Sequence, residues 1–206
     1  RRPRRGRPVA DPRRGLGPGR LPGKKIPQMY DAMLAGTLKA FWVVGEDMGQ
    51  TDPNTLHVRK ALAELELFVV QELFMTETAK MAHVVLPAAS FLEKSGTFTN
   101  GERRIQRVNA AVEPIEGTRP DGQITCDIME RYAEKTGRRS GNASKEYHPR
   151  WVLEEVSRIV PFFAGVKWDE LGENGKQWPV KPDGTDTKIL HTDSFKRGLG
   201  HFYFNA

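Results

Sequence analysis

The sequence predicts an α/β fold, with an open, mostly parallel, Rossmann-like sheet, flanking helices and a loop-rich helical extension. Three short apolar runs, at residues 38–44, 67–73 and 84–86, have the length and composition of buried strands. Helical segments separate these runs, and the alternation stops after residue 89. Strands that alternate with helices pair in parallel through right-handed crossovers.

The helices are predicted from their starting residues and their apolar periodicity. Pro27 suits the first turn of a helix that Gly36 ends, and its apolar stripe comprises Met29, Tyr30, Met33 and Leu34. Pro53 begins a second helix with apolar residues spaced i, i+3, i+4, i+7: Val58, Ala61, Leu62 and Leu65. Residues 76–82 are predicted as a short helix.

Beyond residue 89 we expect irregular structure and two more helices. Residues 87–106 are predicted as a long loop, with a weakly extended stretch at 103–112. Asp121 is predicted to cap a helix that Gly137 ends. The remaining predictions are a helix from Pro149 to Pro161 and short strands near Ile189 and Phe202. The predicted regions are a basic lead-in at 1–25, the α/β region at 26–137, and a linker, helix and irregular segment at 138–206.

Charge and composition exclude several classes of function. The net charge is +6, but residues 1–25 carry ten basic residues and one acidic one, so the rest of the chain is slightly acidic. A basic tail without aromatic residues is weak evidence for nucleic-acid binding, and we expect none.

The single cysteine, Cys126, excludes a disulfide framework or an all-cysteine iron–sulfur site within the chain. No apolar run is long enough to span a membrane, so we expect a cytoplasmic protein without direct membrane insertion. Residue 1 is not Met, and we expect a fragment of a longer protein.

The loop at 45–52 is the first candidate site, because ligands of open α/β sheets bind outside the carboxyl ends of the strands. Gly45 lets a ligand approach the backbone, and Glu46, Asp47 and Thr51 supply polar groups. An ionised Asp47 can accept two hydrogen bonds from a guanine, and free amides at the next helix start suit phosphate oxygens. The alternative interpretation is an ordinary turn capped by Thr51 or Asp52.

Two further segments carry candidate residues. Gln71 lies at the rim of the sheet after the apolar run 67–70, where it orients a ligand or is a solvent-exposed strand end. In the 87–106 loop, Arg103, Arg104 and Gln106 form an anion clamp or a solvated charge cluster. The histidines show no metal-ligand spacing, so we predict no metal site. The spacing of the polar residues in the sequence does not supply a complete set of catalytic residues either.

Several strings resemble the molybdopterin oxidoreductase superfamily, and most of all the catalytic alpha chains of formate dehydrogenases. The resemblance spans residues 25–206, and its strings lie at 45–47, 51–52, 69–79, 84–90, 93–100, 102–107, 111–114, 119–121 and 177–179. Met48 departs from the pattern, because many relatives have a proline at this position.

This resemblance implies a bis-molybdopterin guanine dinucleotide cofactor with molybdenum or tungsten, and oxidation of formate to carbon dioxide. It implies a four-iron four-sulfur cluster and the metal-ligating residue in a part of the parent that precedes this chain. The catalytic residues are therefore absent here, and we expect the isolated chain to be inactive. The resemblance further implies that the parent passes its electrons to iron–sulfur or flavin subunits, and that any association with a membrane is through such subunits. By position, the cofactor-binding residues are Gly45, Glu46, Asp47, Thr51, Gln71 and Asp121, with Arg103, Arg104 and Gln106 in a cofactor-proximal loop.

Two other functions stay open at this point. A chain related to the large iron–sulfur subunit of respiratory complex I shares the 93–97 string, but such relatives usually lack the strings at 102–104 and 177–179. The second alternative is a basic nucleic-acid-binding module, and the only support for it is the composition of the first 25 residues.

Overall fold

The computed structural model describes residues 23–138 and 146–192, and two small sheets organise this part of the chain. Residues 1–22 of the lead-in predicted at 1–25 and the predicted strand near Phe202 lie outside it. The helices are α1 (Ile26–Leu34), α2 (Met48–Thr51), α3 (Thr55–Ala63), α4 (Asp121–Thr136) and α5 (Pro149–Ile159). The strands are β1 (Ala40–Val44), β2 (Leu67–Glu72), β3 (Val84–Pro87), β4 (Gly96–Thr99), β5 (Arg104–Val108) and β6 (Lys176–Gln177).

The first sheet confirms the predicted α/β fold class. Its strands lie in the order β1, β2, β3 and pair in parallel, with Val44 opposite Gln71 and Val69 opposite Val84. Side chains alternate across each strand, and those of Phe68 and Val70 enter a core formed with α1 and α3. This core also contains Met33 and Leu62 of the two helices. All three strands therefore end at the same edge, which is where the candidate residues were predicted.

The helices of this half differ in detail from the prediction. Helix α3 begins at Thr55 rather than Pro53, because Asn54 adopts a left-handed conformation (φ 59°) and its side chain accepts a hydrogen bond from the amide of His57. Of the predicted helix at 76–82, only one 3₁₀ turn forms, at Ala79–Met81. The loop at 45–52 contains the single turn α2.

The second sheet shows that the long-loop prediction for residues 87–106 was wrong. β4 and β5 form an antiparallel hairpin, and β6 pairs with β5. Asn100-Gly101 is a strong hairpin signal, and the Asn100 Oδ1 accepts hydrogen bonds from the amides of Glu102 and Arg104, both at 2.9 Å. The turn is closed by Arg103 in a left-handed conformation (φ 67°). The extended stretch predicted at 103–112 corresponds to β5.

A second apolar core lies between this sheet and α5. It consists of Ile105, Leu153, Val166, Leu171 and Val180. The strand predicted near Ile189 does not form, because this part of the chain is irregular and Ile189 is exposed. Asp121 is the first residue of α4 rather than its cap, which is Pro120, and the Asp121 carboxylate contacts other partners described below.

Gly165 gives a test of how tightly the second core is closed. A Cβ at this position would overlap the backbone carbonyl of Lys181, which cannot move as a flexible side chain can. We expect Gly165→Ala to lower the free energy of unfolding by about 1–3 kcal/mol, the cost of overpacking. Gly101→Ala is the matched control, since no atom lies within 4 Å of its added Cβ. Equal unfolding midpoints for the two variants in denaturant would contradict this account.

Candidate functional site

The carboxyl ends of β1 and β2 bring two of the predicted segments together. The amide of Gly45 donates to the carbonyl of Gln71 over 2.9 Å, so the loop after β1 begins beside this residue. Gly45 has a φ of 62°, which favours glycine, and no atom lies within 4 Å of the place where a Cβ would be. The backbone at this edge is thus open to close approach by a ligand.

Gln71 is the centre of a polar network at this edge, although its side chain is only 1% exposed. Its Nε2 donates to the Asp121 Oδ1 over 2.6 Å, and the Lys94 Nζ donates to the Asp121 Oδ2. The Gln71 Oε1 has no hydrogen-bond partner among the residues that the structure describes. A buried acceptor without a donor costs about 1–3 kcal/mol, so this oxygen marks a place where an external donor is missing.

The charge of Asp121 is maintained by its partners. Burial raises its pKa, but the hydrogen bonds from Lys94 and Gln71 and the positive charge of Lys94 outweigh burial, so the pKa lies below its usual range. Asp121 is therefore ionised at neutral pH and can accept further hydrogen bonds. The sequence analysis identified Asp121 as a site residue but did not single out Lys94. Lys94 could have been identified because it lies within the 93–100 string that resembles the family.

A cavity of about 170 Å³ adjoins this network, between Lys94, Asp121 and Tyr147. The ring of Tyr147 lies against Gly122, where a Cβ would overlap it, and the Tyr147 amide donates to the Gln123 Oε1 over 2.9 Å. Burial and the negative charge of Asp121 raise the pKa of Tyr147, so its hydroxyl remains protonated. Tyr147 was not predicted as a site residue, because it comes from a segment that the sequence indicated only as a linker.

Asp47 holds the two strand-end loops together. Its Oδ1 accepts from the Thr78 amide at 2.9 Å and from the Thr78 hydroxyl at 2.6 Å. The Thr78 Oγ1 accepts in turn from the amide of Gly49 at 2.8 Å. Burial raises the pKa of Asp47, but the hydrogen bonds from Thr78 and Glu77 outweigh it and leave this pKa below its usual range. Thr78 is a second residue that the sequence did not single out.

The prediction of free amides concerned the helix that follows the loop, which is α3; there the amide of His57 donates to the Asn54 side chain. At the start of the unpredicted turn α2, backbone amides are also occupied. The amide of Gly49 donates to Thr78 and that of Gln50 donates to the Asp47 carbonyl at 2.9 Å. The hydroxyl of Thr51 donates to Glu46 Oε1 over 2.7 Å, and both side chains are exposed at the edge. Gly45, Glu46, Asp47 and Thr51 thus form one connected loop beside Gln71.

The arginines of the second sheet have structural partners. The guanidinium of Arg103 donates to the carbonyls of Trp178, Thr187 and Lys188, and that of Arg104 donates to the Asn174 carbonyl. Gln106 lies opposite Phe98 in the β4–β5 hairpin. These donors attach the 174–188 segment to the sheet, so neither guanidinium presents a free fork to an anion in this conformation. A cofactor-proximal position for this loop stays a prediction.

The described residues include no group of three or more His, Cys, Asp or Glu side chains that could hold a metal ion. No helix within 23–138 or 146–192 has the length and apolar character needed to cross a bilayer. Cys126 lies on α4, and burial and the neighbouring Asp127 raise the pKa of its thiol.

Comparison with known proteins decides the family. The family model described as molybdopterin oxidoreductase matches residues 9–131, more than half of the chain. This chain belongs to the molybdopterin oxidoreductase family. The matched residues include the 45–52 loop, Gln71, Lys94 and Asp121. Membership confirms the predicted resemblance and implies a molybdopterin cofactor.

Individual relatives agree with this assignment to the molybdopterin oxidoreductases. A Bacillus subtilis protein named as a probable oxidoreductase is 44% identical over 176 residues, which are 84% of this chain and 17% of that protein. A Staphylococcus aureus protein provisionally named a formate dehydrogenase is 42% identical over 174 residues, with the same coverage. The chain therefore spans about a sixth of the length of these relatives. Among solved structures, acetylene hydratase from Pelobacter acetylenicus aligns over 77% of this chain and 23% of its own, at 22% identity and a TM-score of 0.49.

Proposed function

We propose that this chain is a segment of the catalytic subunit of a formate dehydrogenase that carries molybdenum or tungsten on two molybdopterin guanine dinucleotides. Within it, the edge formed by Gly45, Gln71 and Asp121 binds a guanine dinucleotide end of the cofactor. One observation carries this assignment: the buried Gln71 Oε1 lacks a donor beside an ionised carboxylate. The provisional formate dehydrogenase name of several relatives supports formate as the substrate.

The donors and acceptors at this edge fit a guanine nucleotide. Guanine offers a ring N–H and an amino group, and Gln71 Oε1 and Asp121 are acceptors for such groups. Lys94 supplies a positive charge next to Asp121, and Gly45 leaves the backbone open to a sugar or phosphate. Glu46, Asp47 and Thr51 shape the adjoining loop, and Asp47 keeps the turn at Thr78 in place.

These residues bind and orient the cofactor, and they take no part in the oxidation of formate itself. When bound, the metal centre of the cofactor supplies the two-electron oxidation of formate to carbon dioxide. The role proposed for this chain is to fix the nucleotide end, so that the reactive end is held at a constant distance in the rest of the enzyme. Iron–sulfur or flavin subunits are the proposed electron acceptors, and the four-iron four-sulfur cluster is assigned to another part of the parent.

The first test is the content of the full-length protein. Purified from a host that makes the cofactor, it should contain molybdenum or tungsten and release two guanine nucleotides per chain on acid denaturation. Formate should reduce an artificial dye in its presence, and the isolated chain should be inactive. A full-length protein with neither metal nor nucleotide would overturn the proposal, whereas metal and nucleotide without formate oxidation would overturn only the substrate.

Gln71→Met separates a ligand-binding role from a structural one. Methionine has a similar volume. It removes the unpaired Oε1, which costs about 1–3 kcal/mol, but also the Nε2 hydrogen bond to the charged Asp121, which contributes about 1.5–3 kcal/mol. Because these two effects oppose each other, we expect the free energy of unfolding of the isolated chain to stay within about 1 kcal/mol of the wild type. In the full-length protein the same change should lower metal and nucleotide content. The matched control is Gln50→Met, an exposed glutamine at the end of the same edge. Undiminished nucleotide content in the Gln71 variant would contradict the site assignment.

A further inference from the structure

The hydroxyl of Tyr147 is a hydrogen-bond donor without an acceptor, next to the Asp121 network. The Tyr147 side chain is half-buried and lines the cavity of about 170 Å³ together with Lys94 and Asp121. Tyr147 makes its hydrogen bond through the backbone amide, which donates to Gln123 Oε1. Its hydroxyl therefore has no acceptor among the residues that the structure describes.

Packing holds the Tyr147 ring in this position from two sides. A Cβ at Gly122 would overlap the ring carbons, so the ring occupies the space that a side chain would take in the first turn of α4. The hydroxyl oxygen lies 3.6 Å from the place of a Cβ at Gly96, the first residue of β4. The ring thus spans the distance from α4 to β4, and its hydroxyl is positioned without a hydrogen bond of its own.

The Tyr147 hydroxyl is protonated and can donate. Burial and the negative charge of Asp121 raise the pKa of Tyr147, so the neutral phenol persists at neutral pH. A phenol donates one hydrogen bond, and a partly buried donor that has no acceptor is unfavourable. A ligand that enters this cavity is therefore expected to bring an acceptor to the hydroxyl.

Together, the polar groups of this edge define what the ligand must offer. The Gln71 Oε1 lacks a donor, Asp121 is an ionised acceptor, and the Tyr147 hydroxyl lacks an acceptor. The complementary ligand edge has two donors followed by an acceptor. Guanine has this order in its amino group, its ring N–H and its O6, whereas adenine and cytosine have an amino group in place of the O6 acceptor.

We propose that Tyr147 selects the base of the bound nucleotide, because its hydroxyl donates to the O6 of guanine while Gln71 and Asp121 accept from the amino group and the ring N–H. Adenine would leave the hydroxyl without an acceptor and would place a bare ring nitrogen where guanine has its N–H. A site built to pair with a polar group discriminates against analogues that lack it. The inference rests on the proposed function, in which the nucleotide end of the cofactor occupies this cavity.

Binding of two guanine nucleotides to the cofactor-free full-length protein, measured by titration calorimetry, tests this role. GMP carries all three groups, and 6-thio-GMP keeps both N–H donors but has sulfur, a weak acceptor, in place of O6. The wild type should bind GMP roughly two- to tenfold more tightly than 6-thio-GMP, the effect of one neutral hydrogen bond. Tyr147→Phe should bind the two nucleotides equally, by losing affinity for GMP alone.

Tyr132→Phe is the matched control, since Tyr132 lies on α4, is 53% exposed and does not line the cavity. It should keep the preference of the wild type for GMP. Gly122→Ala keeps the hydroxyl but displaces the ring, so it should abolish the preference as Tyr147→Phe does.

Three results would overturn the role of Tyr147: a wild type that does not bind GMP or binds both nucleotides equally, a Tyr147→Phe variant that keeps the preference, or one that loses affinity for both nucleotides alike. If the cofactor-loaded protein nevertheless releases guanine nucleotide on denaturation, the proposed function stands and only this inference fails. A loaded protein that contains no guanine nucleotide would overturn the proposed function itself.

Discussion

Replacing Phe68 by alanine is expected to lower the free energy of unfolding of this chain by about 3–5 kcal/mol, the range for a large core aromatic. Phe68 is fully buried in the middle strand, between the helix layer and its neighbours in the sheet. Its removal leaves a cavity that the surrounding strands cannot close without breaking their pairing with β1 and β3. Denaturant unfolding followed by circular dichroism measures the difference.

Phe74→Ala provides a control with the same chemical change six residues later. Phe74 lies in the loop after β2 and is 76% exposed, so its truncation should alter the free energy of unfolding by less than about 0.5 kcal/mol. If the two variants unfold at the same denaturant concentration, the core described here does not stabilise the chain.

Asp121→Asn is expected to have the largest effect on cofactor retention in the full-length protein. The change keeps the shape of the side chain but removes the charge that pairs with Lys94. A hydrogen bond to a charged group contributes about 1.5–3 kcal/mol, so we expect roughly ten- to hundredfold weaker binding. Metal and guanine nucleotide per chain after gel filtration measure the loss.

Asp127→Asn is the matched control for this variant. Asp127 lies on the same helix and is paired with Arg119, but it is outside the Gln71 network. Its substitution should leave the cofactor content unchanged. Equal losses in both variants would indicate a general effect on α4 and not a contact with the nucleotide.

The pH dependence of stability follows from the same carboxylate. The pKa of Asp121 in the folded chain lies below its ordinary value. The contribution of the ionised Asp121 to the free energy of unfolding is therefore fully present above the unfolded pKa of about 4, and it disappears as the pH falls through the folded pKa. The difference in free energy of unfolding between wild type and Asp121→Asn should therefore be constant from pH 5 to 7 and shrink below pH 4. A difference that does not change with acidification would contradict an ionised Asp121.

Local patterns predicted most of the first half of the fold. The apolar runs and the helical spacing from Val58 to Leu65 are properties of neighbouring residues, and a strand–helix order leaves parallel pairing as the natural solution. The hairpin at Asn100-Gly101 was missed although its signal is local, because the Gly-rich stretch was interpreted as a loop. Its β5 strand also joins a core with Leu153 and Val180, which no local pattern indicates.

The sequence by itself determined the family, the strand-end loops and the candidates Asp47, Gln71 and Asp121. Only the tertiary structure decided what each of these side chains contacts. Gln71 meets Asp121 from 50 positions away, and Asp47 meets Thr78 from 31 positions away. Arg103, 75 positions from Trp178, donates to its carbonyl. The physical reason is that a side chain's type limits the hydrogen bonds it can make, whereas the partner is chosen by packing between segments that are distant along the chain.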